Sequence, residues 1–185
     1  VQELRPGLWT WTATHPDWTE KDAGPDGWGP DVRSYAYDTG ACLLLFDPMS
    51  PPTLIEGLVE AQEIAVVLTA EWHRRSTDEC VERFGARVFG ARDDLPADVQ
   101  LAPTGWDDEA AYWIPRHRAL VIGDSFTNEQ QFRVMDNWLP EGRTAEEMRD
   151  GLRPLLDLPV ELVLVTHGNP VLEDGRAALR AALDA

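Results

Sequence analysis

Three short, nearly continuous apolar runs constrain this chain most: Ala41–Phe46 (ACLLLF), Ile64–Leu68 (IAVVL) and Glu161–Val165 (ELVLV). Runs of this length without polar alternation read as strands covered on both faces. Leu8–Thr14 (LWTWTAT) instead alternates large apolar residues with threonine, as a half-buried strand does. Ser34–Tyr37 and Arg87–Gly90 add shorter strands, and Glu109–Ile114 with Ala119–Ile122 flank a turn at Pro115–Arg118 as a hairpin. Between these runs lie segments with helical spacing. Thr53–Gln62 follows a Ser-Pro-Pro breaker, Thr77–Phe84 follows a serine, and Ala145–Leu156 and Gly175–Leu183 come later. Strands buried on both faces need covering layers, so the pattern predicts an α/β chain with helices packed outside two sheets.

A length of 185 residues predicts one domain, 1–185. Sixteen basic residues against 33 acidic ones give a formal charge of −17, which disfavours nucleic acid and anionic membrane surfaces as partners. The chain is nonetheless 43% hydrophobic with eight tryptophans, which argues against disorder. Cys42 and Cys80 read as free thiols in a reducing compartment. No run approaches the ~18 apolar residues of a membrane span, and Val1–Pro6 lacks a signal-peptide pattern. A cytoplasmic location is the expectation.

The order of several loop motifs resembles the metallo-β-lactamase superfamily along nearly the whole chain, roughly Leu4 to Leu183. These are Pro6-Gly7-Leu8-Trp9, the strand ending Leu45-Phe46-Asp47-Pro48, the loop opening at Leu68-Thr69, the strand ending Gly123-Asp124, and the strand ending Thr166-His167-Gly168. The resemblance implies a four-layer αββα sandwich with its site at one sheet edge. It also implies a His-x-His-x-Asp-His motif after Thr69, holding most ligands of two metal ions, commonly zinc. Here those positions are Ala70, Trp72, Arg74 and Arg75. The later family histidine that follows a Pro-Gly turn is replaced by Trp106. Asp124 matches the bridging aspartate and His167 the last histidine. Catalytic zinc takes about three protein ligands plus water, so the expectation is a degenerate site without the dinuclear centre and with no cofactor.

Several expectations about the site follow. Arg74 or Arg75 occupies the space of the lost metal, because a guanidinium can pair the stranded Asp124 carboxylate. His73 and Glu71, one residue out of phase with the motif, point away. The tryptophan-rich loop His15–Pro30 supplies Trp18 and Trp28, which with Glu71, Trp72, Arg74, Arg75 and Trp106 line a pocket for a small molecule or a protein; a second copy of the chain is a further candidate partner. His117, in its turn, is solvent-exposed. Were the loop after Thr69 to slip by one residue, Glu71, His73, Asp124 and His167 would suit zinc, iron or manganese. That alternative is a hydrolase remodelled around His73, Asp124 and His167, with one metal ion or none. In its metal-free form His167 paired with Asp124 is a general base. Ser76 and Ser125 lack a G-x-S-x-G context, and read as a helix cap and a turn residue.

Overall fold

The computed structural model describes residues 1–24, 27–59, 62–90, 95, 98–104, 108–139 and 141–185. In chain order these form β1 (Gln2–Arg5), β2 (Leu8–Thr14), β3 (Asp31–Asp38), β4 (Cys42–Phe46), α1 (Thr53–Val59) and β5 (Glu63–Val67). Next come α2 (Thr77–Phe84), β6 (Arg87–Phe89), β7 (Gln100–Ala102), β8 (Ala111–Ile114), β9 (Ala119–Asn128) and β10 (Arg133–Val134). Helix α3 (Ala145–Leu152), β11 (Leu162–Gly168) and α4 (Gly175–Asp184) complete the order. Helix α3 opens on a capping box between Thr144 and Glu147. It gives way at Arg153-Pro154 to a 3-10 turn, because proline cannot donate the next helical hydrogen bond. The helix expected to Leu156 is therefore shorter. Cys42 and Cys80 are free thiols.

Hydrogen bonds join the strands in the order β6-β5-β4-β3-β11-β9-β8-β7, with β2 also on β3, β1 on β2 and β10 on β9. The sheet curls so that its two halves face each other. Alternating side chains serve two layers. Leu44 and Phe46 of β4 meet Val121 of β9 and Leu162 and Leu164 of β11 in the central core. Leu43 and Leu45 turn outward under α1 and α2, against Ile55 and Cys80. Leu120 and Ile122 of β9, with Val163 and Val165 of β11, turn outward under α3 and α4. The result is the αββα layering expected, although the two sheets are continuous: the halves meet where Val32 of β3 pairs His167 of β11. The site lies at this seam.

His117 is buried rather than exposed, edge-on to Tyr37 at 5.2 Å between ring centroids. Among the described residues no helix is long and apolar enough to cross a membrane.

Candidate metal centre

Asp124 reaches the site through a break in the sheet. Strands β9 and β11 pair regularly from Ala119–Leu162 to Ile122–Val165, and the next registered pair is Thr127–His167. Four residues of β9, 123 to 126, thus stand against one of β11. Such an irregularity bends a strand and re-aims its side chains. The strand expected to end at Asp124 continues to Asn128. Gly123 sits in the break because space demands it: a Cβ there would lie 2.7 Å from Thr69 Oγ1 and 2.8 Å from Glu109 Oε1.

His73 arrives by a different device. Glu71–His73 winds as a 3-10 turn, with the His73 amide donating to the Ala70 carbonyl at 3.0 Å. The turn brings His73 inward to 4% exposure and leaves Trp72 58% exposed. The expectation that His73 points away is therefore overturned, while Glu71 does lie outside, exposed. Asp47, at the end of β4 and 2% exposed, holds the imidazole. Its Oδ1 accepts from the Thr69 amide at 2.8 Å, and its Oδ2 accepts from Thr69 Oγ1 at 2.5 Å and faces His73 Nδ1 at 3.2 Å. Thr69 Oγ1 also lies 2.8 Å from His73 Nδ1. The single hydroxyl hydrogen of Thr69 goes to Asp47, so Thr69 can only accept from His73. Nδ1 therefore carries a hydrogen, and neutral His73 would present its Nε2 lone pair to Asp124.

Three donor atoms converge there. Asp124 Oδ1 lies 3.2 Å from His73 Nε2 and 3.3 Å from His167 Nε2. It is buried and forms no well-aligned hydrogen bond with either. Its other oxygen, Oδ2, accepts from Trp72 Nε1 at 2.8 Å. His167 is flanked edge-on by Trp28 at 5.2 Å and Trp138 at 5.6 Å. Its Nδ1 is buried without a hydrogen-bond partner among the described residues. Ligand atoms of the three side chains all lie within 4.8 Å of one another. Donors about 2.0–2.2 Å from a tetrahedral ion stand roughly 3.3–3.6 Å apart, so the Asp124–histidine spacings of 3.2 and 3.3 Å lie at the short edge of a metal site's. Two imidazoles and one carboxylate, one imidazole anchored through its far nitrogen, are a donor set fitting zinc or ferrous iron.

Charge follows from these contacts. Burial opposes a charge on His73, but the carboxylates of Asp124 and Asp47 outweigh it and raise the imidazole to about 9. Burial likewise opposes the charge on Asp124, yet His73 and His167 hold its carboxyl well below the usual range. Glu109, unanticipated in sequence, is buried behind Asp124. It accepts from the Ser125 amide at 3.1 Å and from Ser125 Oγ. Burial, then the Asp124 charge, pushes Glu109 up to about 7. Ser125 is thus tied down within β9 rather than starting a turn, and Ser76 Oγ accepts from the Ser50 amide rather than capping α2.

Of the two arginines, Arg74 is exposed and pairs with Asp78 at 2.7 Å, so it does not replace a metal. Arg75 is largely buried and lies beside the site. Its Nη1 donates to the carbonyls of Asp47 and Arg33 at 3.0 and 3.2 Å. A cleft of about 650 Å³ opens over the three donors; of the residues expected to line it, Trp28, Trp72 and Arg75 do, joined by His15, Lys21 and Trp138, whereas Glu71 and Arg74 face solvent outside it. Trp18 does not line it; its indole donates to the Trp28 carbonyl at 2.9 Å and braces that residue from behind. Trp106 lies outside the described residues.

No protein-family model and no curated protein matches the sequence. Solved structures do match the fold. A metallo-beta-lactamase from Hirschia baltica superposes with a TM-score of 0.66 at 12% identity, covering 99% of this chain and 95% of its own. An archaeal metallo-beta-lactamase superfamily protein from Sulfolobus tokodaii gives 0.66 at 12%, covering 96% and 85%. A metallo-beta-lactamase from Pseudomonas aeruginosa in its mono-zinc form gives 0.61 at 12%, covering 97% and 91%. Full coverage at such low identity is a likeness of architecture, and on it the chain has the metallo-β-lactamase fold.

Proposed function

We propose that the cleft is a hydrolytic site built on a single divalent metal ion held by His73, Asp124 and His167. The observation that carries this reading is Asp124 Oδ1: buried, unaligned for any hydrogen bond, and faced by two imidazole Nε2 atoms at 3.2 and 3.3 Å. Three donors turned on one point without satisfying each other are costly unless a cation joins them. The chemistry supplied by such an ion is Lewis-acid polarisation of a substrate oxygen and activation of water near neutral pH. Asp47 and Thr69 fix the ring and tautomer of His73, Trp72 fixes the rotamer of Asp124, and Trp28 and Trp138 confine His167. His73 takes the place of the histidines missing at positions 70 and 72, which accounts for one ion instead of two. The structural neighbour from Pseudomonas aeruginosa is described in a mono-zinc form, which supports a single ion as one occupancy of this fold.

A second reading rests on the raised His73 imidazole. Protonated between Asp47 and Asp124, His73 is itself the cation, and the cleft then binds a small molecule without turning it over. Metal analysis of protein purified without chelator separates the two. The hydrolytic reading expects close to one equivalent of zinc or iron per chain, and ester or phosphodiester cleavage lost in His167→Ala. Less than about half an equivalent overturns it in favour of the second, since a structural ligand set of this kind binds at or near stoichiometry.

A further inference from the structure

We propose that the cleft receives a ligand bearing a compact oxyanion, a carboxylate or a phosphate, and that Arg75, assisted by Lys21, is its anchor. The inference rests on the cleft being a ligand site, and it does not depend on the metal. Arg75 has a left-handed backbone at φ 40, a conformation that non-glycine residues adopt at a cost. Held so, its side chain runs inward, where Nη1 meets only the neutral carbonyls of Arg33 and Asp47. Its Nε is buried and unpaired, and Nη2 has no hydrogen bond among the described residues.

No carboxylate among the described residues lies within ion-pairing distance of Arg75. The chain carries 33 acidic residues against 16 basic ones, so acidic partners are plentiful. Half-buried Arg149 has one in Asp136 at 2.7 Å, and exposed Arg74 and Arg83 have theirs. Asp47 and Asp124 attract the guanidinium only from beyond contact and do not offset its burial, which lowers Arg75 from its ordinary value; a ligand anion in direct contact would offset that cost. Arg75 also lines the cleft.

The remaining hydrogen-bonding capacity of the cleft has the same sign. Lys21 lines it with an ammonium unpartnered among the described residues, and the indole N–H of Trp28 likewise has no acceptor. The carboxylate oxygens already face protein groups: Asp124 Oδ1 is buried between the Nε2 atoms of His73 and His167 at 3.2 and 3.3 Å. Asp124 Oδ2 takes the Trp72 indole, and Asp22 Oδ2 takes the Thr19 amide and hydroxyl, each at 2.8 Å. The unpartnered donors of Arg75, Lys21 and Trp28 favour an acceptor-rich group on their side of the cleft, while the indoles of Trp28, Trp72 and Trp138 offer apolar surface to the rest of the ligand.

The test is a titration of the full chain, stripped of metal by chelator and dialysed, with inorganic phosphate, acetate and tetramethylammonium at constant ionic strength. Tryptophan fluorescence is the readout, since three indoles line the cleft. Saturable binding of phosphate or acetate, and none of tetramethylammonium, is expected; whichever anion binds more tightly assigns the group. Arg75→Gln should weaken it by about tenfold or more, with Arg75→Lys recovering part. Lys21→Ala, at an exposed residue without a side-chain bond, should weaken it severalfold without affecting folding. Absence of saturable binding of either anion overturns the proposal, as does unchanged affinity in Lys21→Ala together with a folded Arg75→Gln. Anion binding by protein that never takes up metal would sink the hydrolytic reading alone; stoichiometric metal without anion binding would sink this one alone.

Discussion

At the scale of single residues, His73 can be occupied by a proton or by a metal ion, but not both at Nε2. With the imidazole raised to about 9, a metal must displace that proton anywhere below pH 9. Apparent metal affinity should therefore rise by about tenfold per pH unit from pH 7 and level off above pH 9. Competition against a chromophoric chelator at several pH values measures it, and a flat profile would remove His73 from the ligand set. Asp47→Asn loosens the far side of the ring, and a lost outer partner of this kind lowers metal affinity by about 10–100-fold. The same titration reads that loss. Arg74→Ala, by contrast, should leave the urea midpoint unchanged, because Arg74 pairs with Asp78 in solvent.

At the scale of elements, the site depends on close backbone approach where β9 and β11 part. Gly168, with φ +91, ends β11 against the backbone of Asn128, and any Cβ there would overlap the Asn128 carbonyl. Gly168→Ala should destabilise by roughly 3 kcal/mol or more, judged by urea unfolding, because backbone cannot yield as a side-chain tip can. The strands themselves were legible in sequence: ACLLLF, IAVVL and ELVLV are apolar throughout because both faces are covered, and their order is that of the fold. Asp124 and His167 are legible in the sequence as polar residues that close buried apolar runs, although β9 itself continues past Asp124 to Asn128. The position of His73 is not legible from its spacing, because that phase holds for an extended loop, whereas three residues per turn carry it inward beneath Ala70. Glu109 carried no local signal. Its burial follows from the bridge between Ala70 and Glu109, residues far apart in sequence that only the closed fold brings together.

For the whole molecule, the seam between the halves couples the site to global stability. The β3 half of the sheet contributes Asp47, Thr69 and His73, and the β9–β11 half contributes Asp124, His167 and Glu109, so protonation of this cluster is linked to folding. Two groups act in different pH windows. Glu109, at about 7 in the fold against an ordinary 4.5, retains a proton that the unfolded chain has lost. Its contribution is complete below pH 4.5 and disappears as pH rises to about 7. His73, at about 9 against 6.5, contributes fully below pH 6.5 in metal-free protein and loses that contribution as pH rises through 9. The charge of −17 adds a general repulsion at high pH, so each window is read as a difference between variant and wild type. Glu109→Gln should flatten the fall between pH 4.5 and 7 and leave the upper one. His73→Gln should flatten the upper fall in chelated protein. Metal-loaded wild type should lack the upper fall as well, since an ion rather than a proton then occupies Nε2, and saturation at about 1,000 times the dissociation constant adds about 4 kcal/mol. Urea unfolding across both windows, with and without chelator, tests all three. An upper fall that persists at full metal loading would place the ion away from His73.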